Sequence, residues 1–451
     1  MKAVIIGCGN VGLAVAQKLT EENHDVVLVD RSEDQVQHVP DDLDAMVIKG
    51  NGNSVGTLRD AGIETADALI AVTRSDEVNL LCCLFAKSMS KCHTIARVRD
   101  PLYLNELNFL REKLSINLII NPEFATAREI SRLLMFPDSD NVVTFAKNKI
   151  LFTNGHIGPG QHLDGITIAK AIKKIGVNVL IAAVERDGEV YIPNGSFTLE
   201  NGDSFYILAS AKNTSAFYKK IGLSGNRIKR VLIAGGSIIS EYLTEMLGTM
   251  GAEVHIIEEN PERAEQLSDK LPKATIIVGD ATDRDTLIEQ GLLKADAFIT
   301  LMDADEENVM ISLFAKAKTD AKIVMKIAKT SFRDILSELG LERAVYPDMM
   351  TADYIIQYLR AVQNTSGNSV ETLYHMFDER VEALEFVVRT DSPVTNTRLA
   401  DMNLKDNTLI GCINRHGKII VPTGEDTIHI GDTVVVVTAQ KGLHDLNDIL
   451  R

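Results

Sequence analysis

The chain contains no tryptophan, and aromatic residues make up only 5% of its 451 residues. It has no apolar run close to the roughly 20 residues that a membrane-spanning helix needs. Acidic residues outnumber basic ones by 63 to 47, which gives a formal net charge of −16. Nucleic acid requires a basic footprint, and anionic lipid attracts basic segments. The composition therefore argues against a membrane span, against nucleic-acid binding and against direct docking on anionic lipid.

Cysteine is scarce, and its pattern suits neither a disulfide framework nor a metal site. The five cysteines are odd in number and lack C-x-x-C spacing, which favours a reduced, cytoplasmic setting. We interpret Cys82, Cys83 and Cys92, next to His93, as buried free thiols on a helix and a strand rather than as metal ligands. Because the first residues already have the pattern of a strand, we expect no signal peptide.

A glycine-rich turn near the N-terminus indicates a dinucleotide-binding site. Apolar residues up to Ile6 predict a strand, and GCGNVG at 7–12 has the spacing G-x-G-x-x-G. The first glycine permits a tight bend, the second lets the backbone approach a pyrophosphate, and the third allows close packing of helix and strand. The N-terminus of the following helix offers free N–H groups. The residues expected to cradle the phosphates are Gly7, Gly9, Asn10, Val11 and Gly12.

An acidic residue at the end of the second predicted strand completes this motif. Asp30 lies 18 residues after Gly12. An acid at this place accepts the hydroxyls of an adenosine ribose, so it favours NAD(H) over NADP(H). The neighbouring Arg31 weakens that preference, because an arginine can accommodate a ribose 2′-phosphate.

Four further candidates lie on or after the other strands of the same lobe. Asn51 and Asn53 come after the third strand, where the chain would pass the adenine. Thr73 ends the fourth strand, at the crevice where open α/β sheets bind ligands. Arg97, on the fifth strand, could reach a nucleotide phosphate or pair with a neighbouring lobe.

An acidic segment follows Thr73, and we interpret it as structural. The sequence SDEVN at 75–79 precedes a helical pattern. Ser75 or Asp76 would be the cap of that helix, and we interpret Asp76 and Glu77 as capping residues rather than ligand contacts.

The chain is a tandem duplication. Residues 50–79 align with 279–308, and RDGEVYIP at 186–193 aligns with RHGKIIVP at 415–422, in both cases with an offset of 229 residues. An offset held across such distant segments indicates an internal repeat. Turns that include Asp187-Gly188 and His416-Gly417 predict hairpins in the last part of each half.

Each half is expected to contain a doubly wound parallel sheet with helices on both faces, a crossover helix that opens on proline and an acid, and a small α+β lobe. The crossover helices carry apolar residues suited to packing on a neighbour. The expected boundaries are 1–120, 121–139 and 140–222, then 228–345, 346–380 and 381–451. A polar linker is expected at 223–228. The strands expected in the first lobe are 3–6, 26–29, 45–48, 68–72, 94–98 and 117–120.

The second copy of the glycine turn, within VLIAGGSIISEYLTEML at 231–247, is altered. We align Gly7, Gly9 and Gly12 with Ala234, Gly236 and Ile239. Only the middle glycine is then kept. Ala234 would resist positive φ, and Ile239 would push the helix away from the strand. We therefore expect a fragment of residues 226–451 to fold but to bind NAD(H) weakly. Its candidate contacts are Gly236, Ser237, Glu258, Asp280 and Lys326.

This organisation resembles the RCK family, the cytosolic domains that regulate potassium conductance. The resemblance rests on the tandem two-lobed layout, the pattern D-x8-D-E-x-N at 67–79 and the crossover helix, and it covers nearly the whole chain. It implies a regulator that binds NAD(H) and ATP or ADP and assembles as a homo-tetramer. It also implies a peripheral position on the cytoplasmic face of the inner membrane, under an integral potassium channel subunit of the TrkH/TrkG type.

Two other functions stay open at this point. An NAD-dependent oxidoreductase would need a substrate domain that brings a general acid or base to the nicotinamide. Here each nucleotide lobe is followed only by a small hairpin-rich module, and no motif pairs a histidine with a carboxylate, although catalytic groups need not be adjacent in sequence. A soluble nucleotide sensor with an unrelated partner is the other alternative. We expect no catalytic residues and no bound metal.

Overall fold

The computed structural model describes residues 1–100, 103, 106, 113–135, 142–146, 149–158, 161–222, 228–341, 343–363, 370–376, 380–441, 443 and 445–451. The chain forms two compact units, one of Met1–Ser131 with Ile228–Leu359 and one of Arg132–Arg227 with Arg360–Arg451. The first unit therefore holds the corresponding first parts of both halves, and the second unit holds the corresponding last parts. The linker expected at 223–228 lies, but for its last residue, outside the described residues. Among the described helices, none is long and apolar enough to cross a bilayer.

The first lobe is an open parallel sheet of six strands. Strands β1 to β6 are Lys2–Ile6, Asp25–Asp30, Ala45–Lys49, Ala68–Ala71, His93–Arg97 and Leu118–Ile120. Helices α1 to α4 are Asn10–Glu21, Glu33–Gln37, Val55–Asp60 and Asp76–Met89, with a short 3-10 helix at Ile63–Thr65. The strand order is β3-β2-β1-β4-β5-β6, so the direction of winding reverses between β1 and β4. All six strands expected from the sequence are present, because the buried parallel strands are nearly continuous apolar runs.

The first crossover helix, α5, spans Pro122–Met135, and the first small lobe follows it. Strands β7 to β13 are Val142–Phe145, Ile150–His156, Ile166–Thr167, Leu180–Arg186, Glu189–Tyr191, Thr198–Leu199 and Ser204–Ala209. Helices α6 and α7 are Ile168–Ile175 and Ala211–Ile221. Five strands form a sheet in the order β11-β10-β13-β8-β7, and β12 pairs with β9.

The second half repeats this plan. Strands β14 to β19 are Arg230–Ala234, Glu253–Glu258, Thr275–Val278, Ala297–Thr300, Lys322–Lys326 and Ala344–Val345, in the order β16-β15-β14-β17-β18-β19. Helices α8 to α12 are Ile238–Thr249, Pro261–Lys270, Arg284–Glu289, Asp305–Lys318 and Arg333–Glu338, with 3-10 helices at Leu292–Lys294 and Thr330–Phe332. The second crossover helix, α13, is Pro347–Gln363.

The second small lobe has the same sheet with reduced helices. Strands β20 to β24 are Val370–Met376, Val381–Val387, Thr408–Arg415, Lys418–Ile420 and Thr433–Thr438, in the order β20-β21-β24-β22-β23. In its described part the helical segments are the 3-10 helices Leu399–Asp401 and Leu446–Ile449. Both predicted hairpins are present, and their turns have positive φ at Asp187 and Gly188 and at His416 and Gly417, as two-residue type I′ turns require.

The crossover helices pack across the duplication. Four apolar residues of α13, namely Ala352, Ile355, Ile356 and Leu359, belong to the same buried cluster as the core side of α1 and the first sheet. The hydroxyl of Tyr358 is hydrogen-bonded to Nδ1 of His93 at 3.0 Å, and Lys18 is paired with Asp353. The sequence-based expectation that these helices pack on a neighbour is therefore confirmed.

The first crossover helix makes the reciprocal contact with the second lobe. The ring of Phe124 meets Tyr242 of α8 edge-on, with centroids 5.5 Å apart, and Nδ2 of Asn121 donates to the Tyr242 hydroxyl at 3.3 Å. A cut between residues 225 and 226 would thus expose apolar surface on both sides. The structure weighs against the expectation that residues 226–451 fold alone.

A buried arginine–aspartate pair is repeated in the two small lobes. In the first, Asp203 is fully buried, and its two carboxylate oxygens accept from Nε and Nη2 of Arg186 at 2.7 and 2.8 Å. Asp203 also accepts the backbone N–H of Glu200 at 2.8 Å. In the second, Arg415 and Asp432 make the same contacts. Each pair holds the loop before the last strand of its sheet against the hairpin.

Asp203→Asn should lower the free energy of unfolding by about 3 kcal/mol, because one accepting oxygen of a fully buried carboxylate is replaced by an NH2 group that cannot accept from Arg186. Urea denaturation followed by circular dichroism measures the loss. Glu200→Gln is the matched control, since Glu200 pairs with the same arginine but its side chain is 55% exposed; its effect should stay below about 1 kcal/mol. Equal losses in the two variants would contradict this account of the pair.

A candidate nucleotide site at the carboxyl edge of the first sheet

The glycine turn between β1 and α1 is built around two positions that admit no side chain. Gly7 has φ of +111°, and a Cβ there would lie 3.2 Å from backbone atoms of Val72 and Thr73. A Cβ on Gly12 would lie only 1.9 Å from the carbonyl oxygen of Gly7. The turn and the first turn of α1 are therefore in direct backbone contact. These are the structural roles that the sequence predicts for Gly7 and Gly12.

Gly9 differs from both, because it faces open space. A Cβ built on Gly9 meets no atom within 4 Å. Gly9 and Asn10 are exposed, whereas Val11 and Gly12 are buried. A glycine that needs neither positive φ nor close packing leaves room for a ligand to approach the backbone. Its role in binding stays a prediction.

The N-terminus of α1 keeps its hydrogen-bond donors free. Gly9 is the residue before the helix, and no side chain caps it. The first intrahelical bond runs from the N–H of Leu13 to the oxygen of Gly9, at 2.9 Å. In the described part of the chain, the N–H groups of Asn10, Val11 and Gly12 have no acceptor. Such donors, with the positive end of the helix dipole, suit a pyrophosphate, so the residues present fit a dinucleotide.

Asp30 joins the glycine turn to the second strand. Its Oδ2 accepts the N–H of Cys8 at 2.8 Å, and its Oδ1 accepts the N–H of Ser32 at 2.9 Å. A carboxylate has about four lone-pair sites, so Asp30 can brace the turn and still accept a ribose hydroxyl. The brace was not foreseen from the sequence. Arg31 is exposed and forms no ion pair among the described residues.

The loop after β3 lies beside this turn. Gly50 donates its N–H to the oxygen of Asp30 at 2.8 Å, and a Cβ on Gly52 would lie 2.1 Å from a methyl group of Ile6. Asn51 is exposed and Asn53 half-buried. The loop is thus held close to the end of β1, and contact between these asparagines and an adenine stays a prediction.

The side chain of Asn79 forms hydrogen bonds to Thr73 and to the backbone of Arg97. This clasp was not predicted from the sequence. The N–H of Thr73 donates to Oδ1 of the buried Asn79 at 2.8 Å, and the Thr73 hydroxyl donates to the same oxygen at 2.7 Å. Nδ2 of Asn79 donates to the backbone oxygens of Thr73 and Arg97 at 3.2 and 2.8 Å. Asn308 bonds the equivalent backbone groups in the second lobe. The asparagine shared by both copies of D-E-x-N was the available signal.

The acidic residues next to this clasp have different roles from those expected. Ser75 caps α4, with its Oγ accepting the N–H of Val78 at 3.3 Å. Asp76 does not cap the helix, and that interpretation is wrong. Its Oδ2 accepts the N–H groups of Arg99 and Asp100, both at 2.9 Å. From the first position of α4, Asp76 therefore holds the loop after β5.

Glu77 accepts a hydrogen bond from the Ser75 hydroxyl at 2.7 Å. That bond is the main reason why the pKa of Glu77 is lowered from its ordinary value.

Arg97 is engaged with the crossover helices. Its Nη2 lies 3.6 Å from Oε1 of Glu123, in the first turn of α5, and both side chains are only 16% exposed. Burial lowers the pKa of the Arg97 guanidinium, while Glu123 and Asp348, in the first turn of α13, act to raise it. Two roles were proposed for Arg97. The contact with Glu123 supports pairing with a neighbouring element. Contact with a phosphate stays untested.

The second glycine turn has a different register from the one inferred from sequence. Gly235 has φ of +99° and donates its N–H to the oxygen of Ile257 at 2.9 Å, as Gly7 does to Val29 at 2.8 Å. Oε2 of Glu258 accepts the N–H of Gly236 at 2.7 Å, as Asp30 accepts that of Cys8. The alignment of Gly7 with Ala234 is therefore wrong by one residue. Two adjacent glycines allowed both alignments, and positive φ identifies the first of them.

In the corrected register, serine replaces the second and third glycines. Ser237 precedes α8, and its Oγ accepts the N–H of Ser240 at 3.4 Å. Ser240 takes the place of Gly12, and its hydroxyl donates to the oxygen of Gly235 at 2.6 Å. A side chain therefore stands between helix and turn in the second lobe. Ile239 occupies the place of Val11 and does not separate them, which corrects the earlier interpretation.

Charged side chains also cover the second turn. Nε of Arg263 donates to the oxygen of Gly236 at 2.7 Å, and its Nη2 lies 2.5 Å from Oε1 of Glu241. Glu241 lies in the first turn of α8, is 8% exposed, and also pairs with Lys270 at 3.0 Å. A carboxylate in the first turn already interacts with the positive end of the helix dipole, which leaves less of it for a phosphate.

The remaining candidates of the second lobe are used locally. Oδ1 of Asp280 accepts from both the N–H and the hydroxyl of Thr282 at 2.7 Å. The ammonium of Lys326 lies 3.7 Å from Asp303. These contacts favour weak dinucleotide binding in this lobe, although not for the reason given by the sequence.

The buried cysteines agree with their interpretation as free thiols. All five are buried and unpaired. Burial raises the pKa of Cys8 and Cys82 to about 12. A thiol with such a pKa is a poor nucleophile at neutral pH.

Comparison with known proteins gives one family over most of the chain. Residues 3–122 and 231–347 match the TrkA-N domain, and residues 156–222 and 383–451 match the TrkA-C domain. The chain is 32% identical, over the full length of both proteins, to a Trk system potassium uptake protein TrkA homolog of Archaeoglobus fulgidus. It is 29% identical to the Trk system potassium uptake protein TrkA of Haemophilus influenzae, over 98% of this chain and 96% of that protein.

Solved structures share the fold. The GsuK channel bound to NAD superposes with a TM-score of 0.64 and 18% identity, covering 97% of this chain and 76% of that one.

Gly9→Val should abolish NAD(H) binding without unfolding the chain, because a Cβ at this position meets no protein atom within 4 Å and the side chain would take up space next to the free N–H groups of α1. Calorimetric titration measures the affinity, and thermal denaturation checks the fold. Gly248→Val is the matched control, since a Cβ on Gly248 also meets nothing within 4 Å but lies in the second lobe. Unchanged affinity in Gly9→Val would refute the site.

Proposed function

Since the chain belongs to the TrkA family, with its TrkA-N and TrkA-C domains each present twice, we propose that it is the nucleotide-binding regulatory subunit of a Trk-type potassium uptake system. The observation that carries the proposal is the open glycine turn of the first lobe, with its uncapped helix N-terminus and Asp30. Relatives over the full chain length bear the name of this transport system. The proposal makes NAD(H) the ligand, with ATP or ADP as competitors for the same turn.

Different residues would bind different parts of the ligand. The N–H groups of Asn10, Val11 and Gly12 would hold the pyrophosphate, and the free lone pairs of Asp30 would hold a ribose. Asn51 and Asn53 would lie along the adenine. A solved relative in fold, the GsuK channel, is bound to NAD in one structure and to ADP in another, which supports both kinds of ligand named in the proposal.

The proposed mechanism is a rearrangement of lobes that depends on the ligand. The buried side of α1, including Val11 and Val15, shares a core with Ile355 and Ile356 of α13. A ligand that binds at the N-terminus of α1 would therefore also affect α13, which packs against α1. The last residues of α13, from Arg360 onward, belong to the second unit. Such coupling requires that the ligand bind the two arrangements with unequal affinity.

We propose binding without turnover. The side chains that flank the glycine turn are poorly suited to acid–base or nucleophilic chemistry. Asp30 accepts two backbone hydrogen bonds, and burial raises the pKa of the Cys8 thiol to about 12. The partner would be an integral membrane channel subunit of the TrkH/TrkG type. This chain would lie on the cytoplasmic face of the membrane as a homo-tetramer.

Asp30→Ala should remove most NAD(H) binding in the full chain, whereas Glu258→Ala should leave it nearly intact. The two changes are well matched, because each acid accepts one N–H of its own glycine turn, at 2.8 and 2.7 Å. Any general loosening of the turn is therefore equal in both. Calorimetry on the two variants gives affinity and stoichiometry. Equal losses would mean that the second lobe is a working dinucleotide site.

Potassium uptake tests the function itself. Cells that lack their own regulator and produce this chain with its channel subunit should take up potassium in response to nucleotide. Gly9→Val should lose that response while the chain still copurifies with the channel, and Gly248→Val should keep it. Failure to copurify with any channel would support another kind of nucleotide sensor. Sustained NADH oxidation with a small-molecule substrate would support an oxidoreductase.

A further inference from the structure

The first small lobe carries a lysine-rich surface that the proposed function does not use. Six exposed lysines lie on α6 and α7: Lys170, Lys173, Lys174, Lys212, Lys219 and Lys220. Neither helix contains an aspartate or a glutamate. Within the described residues none of the six forms an ion pair. In a chain with a net charge of −16, these lysines form a local concentration of positive charge.

The two helices cover the same face of the same sheet. Ile168 and Ile175 of α6 and Phe217 and Ile221 of α7 belong to one buried cluster with the sheet. Nζ of Lys220 donates to the oxygen of Ile175 at 2.5 Å, so the C-terminal ends of the helices are adjacent. The exposed sides of α6 and α7 therefore form one continuous outer layer.

The free lysines form one stripe on each helix. Lys170, Lys173 and Lys174 are spaced i, i+3 and i+4, and Lys212 and Lys219 are spaced i and i+7, so each set lies on one side of its helix. We call these five residues the lysine face. Lys220 is excluded, because its ammonium is already bound to α6.

Helix stability alone does not account for the lysine face. A cation in the last turn complements the helix dipole, and this explains Lys173, Lys174 and Lys219. Lys212, however, is the second residue of α7, where a cation opposes the dipole, and Lys170 lies in the first turn of α6. These two lysines cost helix stability and need another reason.

The duplicated lobe lacks this surface. With the offset of 229, four of the five positions become Leu399, Met402, Asn403 and Asp448, and only Lys212 keeps a lysine, Lys441. The equivalent outer layer is formed by the 3-10 helices that carry Asp401 and Asp448. Because the two small lobes share a sheet and a buried Arg–Asp pair, the fold does not require lysines there.

We propose that the lysine face docks on the anionic headgroups of the membrane's cytoplasmic leaflet. The residue type favours this partner, since all five are lysines, which are flexible point charges, whereas a specific carboxylate or phosphate would favour the rigid fork of arginine. The proposal rests on the proposed function, which places the chain at a membrane. The rest of the acidic chain is repelled by the same leaflet, so the lysine face would also fix the orientation of docking.

This proposal revises the expectation drawn from net charge. The charge of the whole chain acts at long range, but screening limits its reach to about 8 Å at physiological ionic strength. A surface that touches the leaflet interacts mainly through its own charges. Net charge therefore describes the average surface and does not exclude docking by one face.

Cosedimentation of the full chain with vesicles tests the proposal without channel or nucleotide. The chain should bind vesicles of phosphatidylglycerol and phosphatidylcholine, more weakly as salt increases, and should not bind phosphatidylcholine alone. The combined variant Lys170→Gln, Lys174→Gln and Lys212→Gln should bind at least about tenfold more weakly, since each lysine is worth about fivefold at an anionic leaflet. Glutamine keeps the helix propensity.

The matched control removes three exposed lysines from the second nucleotide lobe: Lys273→Gln, Lys294→Gln and Lys318→Gln. It changes the net charge equally and should bind vesicles like the unmodified chain. Equal weakening in both variants, or no binding of the unmodified chain to anionic vesicles, overturns the proposal. If the lysine-face variant instead loses only its association with a purified channel subunit, the partner is an acidic protein surface and the lipid proposal fails. NAD(H) affinity, measured in parallel, reports on the proposed function separately.

Discussion

The contact between the first turn of α1 and the carbonyl of Gly7 is the constraint on which the candidate site depends. Because a Cβ on Gly12 would lie 1.9 Å from that oxygen, the first turn of this helix can lie so close to the glycine turn only with glycine at this position. This placement brings the free N–H groups to the carboxyl edge of the sheet, where the winding reverses. The second lobe shows the result of changing this one contact. There the hydroxyl of Ser240 fills the gap, the sheet order is unchanged, and the helix N-terminus is capped and covered.

The exchange of crossover helices makes the same helix part of a larger system. The buried side of α1 shares one core with the first sheet and with α13, which comes from the other half of the chain. On this face of its sheet the first lobe therefore shares its core with the other half, whereas the opposite face has a core of its own. A duplicated chain that exchanges helices in this way keeps two lobes in one compact unit, and a ligand in one lobe acts on an element of the other half. Both consequences follow from packing, since an apolar helix face must be buried against something.

The sequence predicts features that depend on local patterns and misses those that depend on neighbours in space. Continuous apolar runs located all six strands of the first sheet, and the glycine spacing located the turn. The register of the second turn failed because Gly235 and Gly236 are adjacent, and only the backbone dihedral angle separates them. Asp76 was misassigned because its partners, the N–H groups of Arg99 and Asp100, are 23 and 24 residues away. The lysine face was missed because the net charge is a sum over the whole surface. It does not show that the outer helices of the first small lobe are basic whereas those of the second are not.

The duplication itself separates residues that hold the fold from residues that act outward. The pairs that stayed the same satisfy buried backbone or charged groups: Asn79 and Asn308, Asp76 and Asp305, Arg186 and Arg415, and Asp203 and Asp432. Losing any of these would leave a buried polar group without a partner, which is costly in either half. Several positions that diverged lie beside the glycine turn or on the outer surface: Gly9 corresponds to Ser237, Leu13 to Glu241, and Lys219 to Asp448. A change there leaves the fold intact, so the two halves were free to take different tasks. The first half has kept an open nucleotide turn and a basic outer layer, and the second half has closed its turn and supplies the helix that completes the first.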